Sequence, residues 1–109
     1  AETTLVARAE AEGYARAAGA DLAAAAGLPE AAELLTAASA YAADNRWVAA
    51  CLACARGRLT GSVADLSEAV VQWTRIEARF ERACTTILLP DRIDEGRAEL
   101  RALGCPPAR

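Results

Sequence analysis

The segment NRWVAACLACARGRLTGSVADLSEAVVQWTRIEARF, residues 45–80, constrains the chain most. Trp47, Val48, Cys51, Leu52 and Ala55 recur at the spacing of one helical face. Gly57 is expected to end that run, with Arg56 in its last turn. Thr60, Gly61 and Ser62 make a polar turn, and Ser62 can cap a second helix. That helix carries Val63, Leu66, Ala69, Val70, Trp73 and Ile76 at spacings of three and four. Two amphipathic helices on so short a connection must lie antiparallel. Neither can bury its apolar face alone, so the pair needs neighbours.

The rest of the chain supplies them. RFERACTTILL echoes RWVAACLACAR, with Phe80 standing 33 residues after Trp47. In that register Ala83 falls on Ala50, Cys84 on Cys51 and Ile87 on Cys54. Backwards, Leu34, Ala37 and Tyr41 lie 32 residues before Leu66, Ala69 and Trp73. Paired helices at a period of about 33–34 residues resemble a degenerate tetratricopeptide repeat. Gly57 matches the glycine closing the first helix of that repeat, and Ala50, Ser62 and Ala69 match its small packing positions. Trp47 stands about one place from the family's aromatic, and no proline follows the second helix. The run WTRIEARFERACTTILLPDRIDEGRAELRALGCPPAR resembles the C-terminal helical repeats of actinobacterial regulators, the ATPase-coupled LuxR-type factors and AAA-ATPase or cyclase-linked proteins.

The expected fold is all-α. It is a right-handed stack of about three antiparallel helical hairpins, the last one shortened, forming a single domain over residues 1–109. The chain is expected to be a C-terminal fragment of a larger protein. Hydrophobic residues make up 54%, but much of that is alanine, which favours closely approaching helices over a thick core. A net charge of −3 argues against a general nucleic-acid or anionic-membrane surface. No apolar run approaches the ~20 residues that span a bilayer, and the N-terminus lacks a signal-peptide layout. A cytoplasmic location is expected.

In chain order, Leu5, Ala9, Tyr14 and Ala17 stand among charges, Thr3 or Thr4 can cap the start, and Glu12 and Arg16 form an i,i+4 pair. Gly13 and Gly19 leave open whether residues 2–26 form one helix or two. Pro29 suits the first position of a helix running to about Ala43, burying Ala31, Leu34, Leu35, Ala38 and Tyr41. Asp44 and Asn45 can cap the central hairpin. Pro90 should stop the Arg79–Leu89 helix and Asp91 should cap the last one, Arg92–Leu103, with Ile93, Leu100 and Leu103 inward. Gly104 fits a left-handed cap. Glu81 and Thr85, where the central repeat has Val48 and Leu52, are expected to face solvent at the end of the array. Leu5 and Val6 keep the opposite end apolar, so a homodimer through residues 2–18 is expected.

Chemistry is sparse. Cys51 and Cys54 lie mid-helix among alanines, and Cys84 repeats the Cys51 position, as packed thiols do. Zinc knuckles place such cysteines in turns, and redox motifs at helix N-termini. With no histidine and no lysine, there is no imidazole base, Schiff base or phosphate-loop lysine. Glu77, Glu81, Asp91, Asp94, Glu95 and Glu99 interleave with arginines, as solvated faces do. Neither catalytic nor metal-ligating nor cofactor-binding residues are expected. The expected function is a non-catalytic protein–protein interaction or regulatory scaffold within a larger bacterial transcriptional regulator. Its partner is a protein or peptide, met on a surface formed by Trp47, Cys51, Phe80, Cys84 and Ile87. The alternative is a small-molecule inducer-binding helical module.

Overall fold

The computed structural model describes residues 2–105, apart from the side chains of residues 2, 3 and 6. Within them lie six α-helices and no strand: α1 Glu2–Ala26, α2 Ala31–Ala38, α3 Arg46–Thr60, α4 Val63–Arg75, α5 Arg79–Thr86 and α6 Ile93–Ala102. The all-α expectation holds, and the third pair is the shortest. Helix α1 packs on α2 and α3, α3 on α4, α4 on α5, and α5 on α6.

Helix α3 is the centre. The Asn45 side chain caps it, accepting from the Val48 amide at 3.0 Å, as expected. It is buried almost all round, with residues 50–55 uninterrupted, because α1 covers one side and α4 another. Gly57 does not end it. The helix continues to Thr60, and Gly61 takes the left-handed position at φ 71°. Gly57 is instead where α3 and α4 come closest. A β-carbon there would sit 2.6 Å from Leu66 Cγ and Cδ2, so the position needs a residue without one. Ser62 then caps α4, accepting from the Asp65 amide at 3.1 Å. Leu66, Ala69, Val70 and Trp73 form the buried face of α4, as expected; Val63 is exposed.

Residues 2–26 form one helix. Its inward stripe is Gly13, Ala17, Ala20 and Ala23, small residues that let α1 approach its neighbours closely. Gly13 survives inside the helix because the Tyr41 side chain occupies the space a β-carbon would need. The helix already includes Thr4, so Thr4 is no cap; the Thr3 and Val6 side chains lie outside the described residues. Glu12 and Arg16 pair at 2.8 Å. Helix α2 starts at Ala31, two residues after Pro29, and ends at Ala38 rather than Ala43. Thr36 and Ser39 donate to the carbonyls of Ala32 and Leu35, and a 3-10 turn, Ser39–Tyr41, comes next. Leu34 is exposed, and Leu35 and Tyr41 are half-buried.

Helix α5 stops at Thr86, yet Leu89 beyond it is buried against Leu66 and Val70. Asp91 does not cap α6. Arg92 holds the cap position without a side-chain cap, and its guanidinium bonds Glu95 instead. Leu100 is buried, Ile93 and Leu103 are half-buried, and Gly104 is left-handed at φ 81°. The largest departure is Thr85. It is 2% exposed rather than solvent-facing. Its hydroxyl donates to the Glu81 carbonyl at 2.9 Å and accepts from Trp73 Nε1 at 3.0 Å, so the interior satisfies it. Glu81 is half-buried.

Candidate functional site

The first helices of the three pairs, α1, α3 and α5, border one groove of about 370 Å³. Helix α5 leans on α4, so it meets α3 through side chains, with Thr85 Oγ1 3.6 Å from Cys54 Sγ. The groove lies above that contact. Its α1 wall is Ala18, Asp21 and Leu22, at spacings of three and one along the helix. Trp47, Cys51, Cys54 and Arg58 come from α3, and Trp73 from α4. Phe80, Glu81, Cys84 and Thr85 come from α5.

Four of the five residues expected at a partner surface, Trp47, Cys51, Phe80 and Cys84, meet here. Ile87 does not. It packs against Gly96 of α6, where a β-carbon would lie 2.6 Å from Ile87 Cγ1. The repeat register places Ile87 on Cys54, but α6 covers that side of α5. Sequence spacing also misses Asp21, Leu22, Arg58 and Trp73. Asp21 and Arg58 stand 37 residues apart and pair at 2.9 Å, which no local pattern announces.

The lining residues differ in what they offer. Trp47 is half-buried, edge-on to Tyr14 at 5.2 Å and to Trp73 at 5.5 Å between ring centroids. It therefore braces α1 against α4 while lining the groove. Phe80 is 50% exposed on one lip and Leu22 70% exposed on the other. Cys51 is buried, its thiol donating to the Ala17 carbonyl at 3.4 Å.

The thiols are tuned away from reactivity. Burial, and then the charge of Asp21, pushes Cys51 up to about 12. Burial and Asp21 push Cys54 up against the lowering influence of the nearby Thr85 hydroxyl, and burial and Glu81 push Cys84 up. A thiol is the nucleophile and metal ligand only as thiolate. Among the described residues no three His, Cys, Asp or Glu side chains converge as a metal site. No described helix is long and apolar enough to cross a membrane.

These shifts have a sign. Raised folded-state values mean the folded chain holds its thiol protons above the unfolded value of ~8.5. The stabilisation is complete below that pH and is lost as pH rises toward 12. The melting temperature should therefore be flat on this account through neutral pH and fall above it. The fall should be shallower in Cys51→Ala, and an identical slope in wild type and variant would remove the assignment.

A second hollow of about 490 Å³ lies between residues 42–49, which lead into and open α3, and the end of α4. Arg46, Arg75, Gln72 and Asp44 border it. No family model, curated protein or solved structure matches the chain.

Proposed function

We propose that this chain is a non-catalytic interaction module that takes a protein or peptide segment into the groove between α1, α3 and α5. The observation that carries the reading is the groove itself. It is an open trough with an exposed apolar residue on each lip, Leu22 and Phe80, over a floor of packed aromatic and thiol groups. Exposed aromatic and aliphatic side chains flanking a preformed hollow are what a partner's anchor residues need. The pairing of helices is in keeping with a degenerate tetratricopeptide-like array, whose first helices line the binding trough. On this reading the chain serves as a regulatory scaffold within a larger bacterial transcriptional regulator in the cytoplasm, and does no chemistry. The second reading, a small-molecule inducer site, is favoured only by the hollow holding Arg46 and Arg75.

A photo-crosslinker at position 80 tests the proposal in the intact parent protein. It should capture a defined partner that the same group at Val63, exposed on α4, does not. Phe80→Ala should weaken that partner at least about tenfold while leaving the melting temperature within about 3 °C, since half of the ring is already in water. Equal capture from both positions would remove the groove as the binding face.

A further inference from the structure

The groove carries three charged side chains, and they do not balance. Asp21 of α1 and Arg58 of α3 neutralise each other at 2.9 Å. Helix α4 contributes only the neutral Trp73 to the lining. Glu81 of α5 remains, half-buried at the groove edge, and makes no ion pair among the described residues. Its neighbour Arg82 is drawn away from the groove to Glu95 and Glu99 of α6. The groove therefore holds one uncompensated negative charge, beside the half-exposed ring of Phe80.

A carboxylate beside an aromatic face is matched by a cation. The ring quadrupole attracts it, and the carboxylate supplies a charge-assisted partner. An anionic segment would leave Glu81 facing like charge. The exposed Leu22 lip offers apolar surface within the same groove. We propose that the groove recognises a partner segment bearing an arginine or lysine next to an aliphatic side chain, with Glu81 as the counter-charge and Phe80 as the platform. This deepens the peptide-groove reading above and rests on it.

The test uses acetylated and amidated pentapeptides, Ala-Leu-Xaa-Leu-Ala, with arginine, glutamine or glutamate at the centre. The readout is the amide and indole NMR shifts of the intact chain. The arginine peptide should move the resonances of Leu22, Trp47, Phe80 and Glu81 at millimolar concentration, and added salt should reverse the shifts. The glutamine peptide should bind about fivefold more weakly, and the glutamate peptide weaker still. Glu81→Gln should bring the arginine peptide down to the glutamine peptide's affinity; Glu81→Asp should restore part of it. Equal binding of arginine and glutamate peptides in the groove would overturn the cation proposal and leave the groove reading standing. Shifts absent from the groove for every peptide would also overturn it, and capture from position 80 would then decide the groove reading separately.

Discussion

Ala69→Glu is expected to leave the chain unfolded at neutral pH. Ala69 is 0% exposed, on the face of α4 that lies against α3, in the cluster with Ala50, Cys54 and Trp73. A glutamate there brings extra heavy atoms into a close-packed helix contact, and such overpacking costs about 1–3 kcal/mol. The ionised carboxylate adds several kcal/mol more, because no partner is built to receive it. Together these approach the total of ~5–15 kcal/mol that holds a domain of this size. Ala69→Leu separates the two effects, since it keeps most of the bulk without the charge. It should stay folded with a lowered melting temperature. The penalty also has a pH sign. Burial raises the folded-state value of the new carboxyl above the unfolded ~4.3, so the charge penalty grows as pH rises through that value and is absent below it. Helicity that returns on acidification, tracked by far-UV circular dichroism, is the expected signature. A variant melting at the wild-type temperature at pH 7 would refute the packing register of α4.

That register is legible in the sequence because α4 is amphipathic in the ordinary way. Leu66, Ala69, Val70 and Trp73 are large or small, but all apolar, and they fall on one stripe. The caps at Asn45 and Ser62 are legible for a similar reason, since each is a local contact three residues long. Gly57 misleads because a glycine near a helix end has two meanings. It can take a left-handed φ, or it can clear space for another chain segment. Only the position of Leu66 decides between them, and that is a tertiary fact. Thr85 misleads for a related reason. A threonine counts as polar in a pattern, but its hydroxyl is satisfied inside by Glu81 and Trp73, and the methyl group packs. The single helix over residues 2–26 is undecidable from Gly13 and Gly19, because Gly13 is held by Tyr41, far along the chain. The candidate groove is half legible. Repeat register brings out Trp47, Cys51, Phe80 and Cys84 as equivalent places. It does not show that α5 leans toward α4, which opens the trough and turns Ile87 to α6.

The same lean makes Trp73 the most consequential side chain in the molecule. It is 3% exposed, and it touches elements on both sides. Its ring meets Trp47 of α3 edge-on at 5.5 Å, and its indole N–H donates to Thr85 of α5 at 3.0 Å. Aromatics are only 5% of a chain whose other core residues are mostly alanine, so few groups can replace the area it buries. Trp73→Ala should cost about 3–5 kcal/mol and lower the melting temperature by more than about 10 °C. Trp73→Phe keeps most of the ring and removes the N–H, and it should cost about 1–2 kcal/mol. Thr85 tolerates that change because its own proton still goes to the Glu81 carbonyl. The loss should not be uniform. Helices α5 and α6 reach the rest of the chain mainly through α4, so they should loosen first. Hydrogen exchange should therefore rise earlier at the amides of Thr85, Thr86 and Leu89 than at those of Cys51–Ala55 in the alanine variant. Equal melting of the phenylalanine and alanine variants would show that the indole N–H, and not the ring, holds α5 in place. Uniform exchange along the chain would show that the buried Leu66, Val70 and Leu89 contact carries the α5–α6 pair without Trp73.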